Sequence, residues 1–330
     1  MEITWGVELI TYFNPDFWGL DRTAPGLSWA EAFDRDPRFY FDRMFDSARD
    51  LGLRGVELAP NPGGWRRAEK GYGDAAGLKS ALDERGLKLA ASYTHAAEIM
   101  WPCLEDRDRE PEADAEIAAH AAFVRACGAG IITMGTMPRA EFGSRVGQAE
   151  VAESFRAPVD PVIREKVCAQ LNRLGSVVAR HGVRLAIHTD SYSIASRPSD
   201  VRALMDGTDP DTVGLCPDSG HMTIDSGDAV RVLRENVSRV PIMHWKDAVA
   251  PLSPDQLVGE GSRRHERILR NFRIPGRPEG LVDWKSWLGV LEEARWVGWA
   301  MLEEDMARDP NAALRAGRDF FRSLGHGTAV

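Results

Sequence analysis

Short apolar runs recur down the whole chain, each followed by a stretch with helical periodicity. No other feature of the sequence restricts the fold so tightly. Runs of four to six apolar residues between turn signals suit strands buried on both faces, and parallel neighbours require a crossover that a helix supplies. Ile3–Ile10, Leu53–Ala59, Leu87–His95 and Gly130–Thr136 read as the first four strands. Runs opening at Leu185, Val213 and Val240 follow, and Trp299–Asp305 is the last. Helical patterns cover Ala30–Leu51, Asp74–Arg85, Pro111–Cys127, Pro161–His181, Val282–Ala294 and Asn311–Leu324. Gly52, Gly86 and Gly325 stand where a left-handed residue would end a helix. The count reaches eight strands and eight helices, which predicts an α/β (β/α)8 TIM barrel. With no linker or low-complexity tract, residues 1–330 read as one domain with loop insertions at 137–156 and 248–280.

In such a barrel the carboxyl ends of the strands face the active-site mouth. Three successive ends here are loaded with polar chemistry. Leu185-Ala-Ile runs into His188-Thr-Asp190, Val213-Gly-Leu-Cys-Pro into Asp218-Ser-Gly-His221, and Val240-Pro-Ile-Met into His244-Trp-Lys246-Asp247. Composition narrows the partners. A net charge of -9 argues against nucleic acid, whose phosphates need a basic face. Four scattered cysteines with no C-x-x-C spacing argue against a disulfide framework or a structural zinc site. No basic region followed by a long apolar stretch opens the chain, and no run reaches the roughly 18–20 residues of a membrane span. A cytoplasmic protein that binds neither membrane nor nucleic acid is expected.

The strand-end residues resemble the xylose-isomerase-like TIM-barrel superfamily of sugar isomerases, epimerases and dehydratases. The most specific pieces are Asp218-Ser-Gly-His221, His244-Trp-Lys246-Asp247 and Gly298-Trp-Ala-Met-Leu-Glu303-Glu-Asp305. Within that superfamily they look most like inosose dehydratases and the catalytic subunits of C-glycoside deglycosidases. The resemblance implies one divalent metal held at the ends of the fifth to eighth strands, by His188, Asp218, His244 and Glu303. His188 departs from the usual pattern, which has a glutamate there. That departure leaves the metal's identity open and weakens the epimerase reading, which relies on two metal-bound glutamates as opposed acid and base. The deglycosidase resemblance also implies a small partner subunit, and barrels of this class commonly form homo-oligomers.

Two imidazoles and two carboxylates suit Mn, Fe, Co or Zn better than Mg or Ca, with Mn²⁺ preferred. A metal on a sugar carbonyl lowers the barrier to removing the adjacent proton. The groups placed to move that proton are His95, Asp190, His221 and Lys246. Histidine is the easiest to justify near neutrality, while Lys246 could instead stay charged beside a developing oxyanion. Each has a blander reading as a satisfied structural residue, and His221 could simply orient Asp218. Glu8 and Glu57 at the first two strand ends are candidate acceptors of substrate hydroxyls, with a salt bridge as the alternative for Glu57. Trp18, Trp65, Trp101 and Trp245 fall in loops or at strand ends, where they could stack on a sugar or an aglycone. Trp284, Trp287, Trp296 and Trp299 read as core. The arginine-rich stretch 262–277 is a phosphate clamp, a lid or a mixed-charge loop.

The expected function is a metal-dependent lyase on a keto sugar, keto inositol or 3-keto glycoside, by α-proton abstraction and β-elimination. The alternatives are a metal-dependent isomerase or epimerase working through an enediolate, and a carbohydrate-binding subunit without catalysis. A metal-dependent DNA-repair nuclease fits least, given the charge.

Overall fold

The computed structural model describes residues 1–19, 29–60, 63–136, 158–225, 227–257, 266–305 and 307–326. The strands are β1 (Glu2–Glu8), β2 (Gly55–Leu58), β3 (Lys88–His95), β4 (Ile131–Gly135), β5 (Arg184–His188), β6 (Val213–Cys216) and β7 (Ile242–Trp245). A short antiparallel pair follows, β8 (Asp247–Ala248) with β9 (Phe272–Arg273), and then β10 (Val297–Leu302). Strands β1 to β7 and β10 form one parallel sheet in which β1 pairs with β2 on one side and β10 on the other. The ring closes between β6 and β7 through a bridge pairing Asp218 with His244, where the His244 N–H donates to the Pro217 carbonyl at 3.2 Å. The expected (β/α)8 barrel is the observed fold.

Residue alternation sorts the side chains into two apolar layers. Along β5, Leu185 and Ile187 join the large outer cluster under the helices, whereas Ala186 belongs to a small inner cluster. That inner plug also holds Ala90, Ala91, Cys216, Ile242 and Met301. Small residues dominate because an eight-stranded barrel has room for little more than its own side chains. The same alternation turns the last inward residue of each strand up into the mouth. Trp245 illustrates the opposite phase. It lies between His244 and Lys246, so it points outward and packs edge-on against Trp5 and beside Trp284 and Phe321. The expectation that it lines a pocket is thereby corrected. Trp284, Trp287 and Trp296 are buried as expected, and Trp299 is partly buried against the inner plug.

Proline accounts for the differences in helix boundaries. The pattern read as one helix over Ala30–Leu51 is two, Trp29–Arg35 and Pro37–Asp50. Pro37 has no N–H to continue the ladder, and Asp36 caps the second helix by accepting from the Phe39 N–H at 3.1 Å. The stretches around Trp65 and Trp101 read as loops, yet both begin helices, Trp65–Tyr72 and Trp101–Glu105. Pro102 sits in the first turn of the latter, where a missing N–H costs nothing. The insertion expected at 137–156 lies outside the described residues. From the second insertion the described parts are 248–257 and 266–280, and Asp247 ties that segment to the barrel. Its carboxylate accepts from the N–H groups of Ala248, Leu281 and Val282 and from the Trp284 indole, at 2.8–3.0 Å. Among the described residues no helix is long and apolar enough to cross a membrane.

Candidate metal and catalytic site

Four side chains from consecutive strand ends converge at the mouth, and each is nearly or fully buried: His188 (2%), Asp218 (0%), His244 (1%) and Glu303 (3%). His188 Nε2 lies 3.4 Å from Asp218 Oδ2. His244 Nδ1 lies 2.9 Å from Glu303 Oε2 and 3.9 Å from Asp218 Oδ2. Asp218 gains its position from local structure. Its Oδ1 accepts from the His221 N–H at 2.8 Å, capping the helix Ser219–Ile224, which leaves Oδ2 aimed inward. His188 Nε2, Asp218 Oδ2 and Glu303 Oε2 are buried without a well-formed hydrogen bond. Buried polar atoms normally find partners, so three unsatisfied donors of electron pairs in one place fit a cation. Asp218, His244 and Glu303 are close enough to share one ion, and so are His188, Asp218 and His221. We favour the first set joined by His188. His221 Nδ1 already accepts from the Ser191 N–H at 3.0 Å, so a neutral imidazole carries its proton on Nε2.

Outer carboxylates orient both imidazoles, as is usual for metal-binding histidines. His188 Nδ1 stands 3.0 Å from Asp190 Oδ1, and Asp190 Oδ2 accepts from the Thr136 N–H at 2.8 Å. His244 Nε2 stands 2.8 Å from Glu57 Oε2. Glu8, on the neighbouring strand, accepts from the Ile10 N–H at 2.6 Å through Oε2 and keeps Oε1 unpartnered. Lys246 projects into the same cluster. Its ammonium donates to Glu303 Oε1, lies 2.9 Å from Asp305 Oδ2 and 3.3 Å from Asp218 Oδ2, and sits over the Phe272 ring at 4.4 Å. Gly220 makes room for its stem, since a Cβ there would collide with the Lys246 side chain.

The electrostatics divide these groups by role. Burial pulls the His188 imidazole down, but the adjacent Asp190 and Asp218 outweigh it and hold the pKa up at about 9. Burial works against the charged forms of Asp218 and Glu303, yet nearby Lys246 keeps both carboxylates below their usual range. Burial likewise opposes the Lys246 charge, and Asp218, Asp305 and Glu303 overcome it, so the ammonium stays protonated. Asp305 is pushed up to about 6 by burial against the opposing pull of Lys246. Burial and then Lys246 press His221 down to about 3, which makes it a neutral hydrogen-bond donor through Nε2. Glu8 is raised by burial and by the charges of Glu303 and Glu57, so it tends to hold its proton.

The other residues singled out in the sequence lie apart from this cluster. His95 ends β3 and touches Tyr93 edge-on with ring centres 5.2 Å apart. With Trp65 and Tyr93 it lines a cavity of about 550 Å³ at the same end of the barrel. Trp18 donates its indole N–H to the Tyr12 carbonyl at 2.7 Å and packs on Tyr40, and Trp101 is half-buried against the outer core. Sequence reasoning missed the parts played by Asp305, Tyr93 and Phe272. The Tyr93 ring lies 5.6 Å from that of His188 and 6.4 Å from that of His244, forming the wall between cluster and cavity. Period-two alternation with His95 would have placed it on the inward face.

The fold and this site define a (β/α)8 barrel with a candidate metal centre at its carboxyl-end mouth. Residues 45–324 match the xylose isomerase-like TIM barrel family, and the chain belongs to it. Among curated relatives, it is 31% identical over 150 residues to an inosose dehydratase of Bacillus velezensis, covering 45% of this chain and 49% of that protein. It is 28% identical over 238 residues to an inosose dehydratase of Geobacillus thermodenitrificans, covering 72% and 74%. The chain thus spans about half the length of the first relative and about three quarters of the second. In three dimensions it resembles the IOLI protein, solved with a bound zinc atom, with a TM-score of 0.65 at 13% identity over the full length of both chains.

Proposed function

We propose that this chain is a divalent-metal-dependent lyase that acts on a keto sugar, a keto inositol or a 3-keto glycoside, removing the proton α to the ketone and expelling a β substituent. The observation that carries the reading is the convergence of three buried ligand atoms without a well-formed hydrogen bond, beside the Lys246 ammonium. The inosose dehydratase relatives point the same way. His188, Asp218, His244 and Glu303 would hold the metal, with Mn²⁺ our first choice among Mn, Fe, Co, Zn and Mg. When bound, it supplies Lewis acidity that makes the proton next to a ketone easier to remove.

The chain's own groups do the rest. Asp190, half-buried at the cluster's edge and fixed by Thr136 and His188, stands outside the ligand set and is the carboxylate we assign to accept the α-proton. His221 Nε2 lies 3.9 Å from Asp190 Oδ1 and is free to donate to a bound substrate. Lys246, held cationic by three carboxylates, stabilises negative charge growing on the ketone oxygen. Glu57 and Glu8 take substrate hydroxyls. We place the protein in the cytoplasm as one barrel domain, in keeping with four buried free thiols.

An epimerase or isomerase is the second reading. The unpartnered oxygens of Glu8 and Glu57 offer a second proton-transfer group on the β1–β2 side, opposite Asp190. The test is elemental analysis of the purified protein and of Glu303→Ala, followed by incubation with a keto inositol in D₂O. About one equivalent of metal in the parent, none in the variant, and a product lighter by water supports the lyase. Deuterated sugar with no loss of water selects the epimerase. Turnover by metal-free Glu303→Ala overturns both.

A further inference from the structure

Tyr93 stands among the candidate ligands without being tied to any of them. It shares the inward face of β3 with His95, and Ala91, two residues earlier, belongs to the inner plug. Its ring centre lies 5.6 Å from that of His188 and 6.4 Å from that of His244. The side chain is only 8% exposed, yet among the described residues its hydroxyl makes no hydrogen bond. A buried hydroxyl without a partner is costly, and phenylalanine would keep the same ring contacts without that cost. Burial, and then the charges of Asp190, Glu303 and Glu8, hold the phenol protonated.

Gly135 shows that the hydroxyl's place is built. Tyr93 pairs in register with Thr133, but its phenol leans two residues further along β4, toward the mouth, and a Cβ on Gly135 would collide with the hydroxyl. The backbone does not demand glycine there, because residue 135 ends a regular strand and has no positive φ. Gly6 and Gly55 also make room, but for Met301 and Trp299, apolar side chains that fill the barrel. Gly220 makes room for Lys246. Gly135 belongs with Gly220, since the space it opens holds a polar group at the mouth.

We propose that the Tyr93 hydroxyl is a specificity-determining substrate contact that hydrogen-bonds a ring hydroxyl of the substrate, and that Gly135 is the positioning residue that admits it. The inference rests on the lyase reading. It adds a polar contact on β3, which lies opposite β7 in the ring, where Lys246 is assigned to the ketone oxygen. No proton changes hands, because the phenol stays neutral and only donates or accepts a hydrogen bond. A site built around such a bond rejects the analogue that lacks it, since its own buried group is then left unpaired.

The experiment compares the Mn²⁺-loaded parent, Tyr93→Phe and Gly135→Ala on a keto inositol and on each of its monodeoxy analogues. Calorimetric binding of myo-inositol adds a readout that needs no turnover. Both variants should keep the parent's metal content. Each should lose about tenfold in kcat/KM on the keto inositol and weaken myo-inositol by a similar factor. One monodeoxy analogue should be poor for the parent and no poorer for either variant, because the bond it lacks is the one they have lost. Equal losses on every analogue, or a fall in metal content, would mean that the ring only supports the ligands and would overturn the contact. Tyr93→Phe matching the parent would also overturn it and leave the lyase standing, and Gly135→Ala matching the parent would overturn the positioning role. Binding of myo-inositol without turnover of the keto inositol would bring down the lyase reading, and unweakened binding by Tyr93→Phe would then bring down the contact too. Neither binding nor turnover by the parent would overturn both.

Discussion

Two buried histidines, one in the mouth and one on the helix behind the cavity wall, are driven in opposite directions. His188 sits among Asp190 and Asp218 and is held up at about 9, while His120, behind the cavity wall, is pressed down to about 3 by burial and then by Arg66. Both are almost fully buried, so desolvation pushes each toward neutrality. What separates them is company. On the β5–β10 side, carboxylates and a lysine are packed against one another with ligand atoms left unsatisfied. Around the cavity, His120 needs only the Ser92 hydroxyl at 2.7 Å, and the arginines at the rim are paired with Glu116 and Asp34. The first half stores electrostatic tension that a cation and a substrate could relieve. The second is relaxed and shaped for contact.

Four perturbations probe that contrast. The largest effect is expected from Asp218→Asn, which can keep the helix cap while removing a ligand charge. Metal content should fall below a tenth of the parent's and activity by about 10³-fold or more, read by elemental analysis and steady-state assay. Unchanged metal content would show that the cluster is structural. Lys246→Met strips the cation from three carboxylates. The metal-free protein should lose about 3–5 kcal/mol in urea unfolding, and added Mn²⁺ should restore much of it. Equal losses with and without metal would detach the lysine from the metal site.

The third perturbation concerns pH. Because His120 titrates near 3 in the folded chain and near its ordinary 6.5 unfolded, it favours folding above that range. As pH falls below 6.5 the unfolded chain takes a proton that the fold refuses, so stability drops progressively toward pH 3. His120→Gln should flatten that acid limb by up to about 1.4 kcal/mol per pH unit, and an unaltered slope would place the acid sensitivity elsewhere. The smallest effect is expected outside both halves. Arg202 and Glu235 pair at 2.7 Å with half of the arginine side chain exposed, and Arg202→Ala should leave the unfolding midpoint in the same assay unchanged.

Much of the barrel was legible because strand and helix periodicities differ and the chain repeats both. Pro37 and Pro102 misled for one reason: a residue that stops one helix also opens the next. The cluster was legible wherever a strand ran straight into its polar residue, as at His188, Asp218, His244 and Glu303. Asp305 and Phe272 were not, since both meet Lys246 from segments distant in sequence, and no local pattern encodes that meeting. Trp245 shows how one position of phase decides between core and mouth.

The barrel's last seam is sewn by Asp218 and His244, whose backbones make the only bridge between β6 and β7 among the described residues. Shape and chemistry therefore share the same two positions. The bridge runs through main-chain atoms, so the side chains at both positions can serve the site without loosening the cylinder.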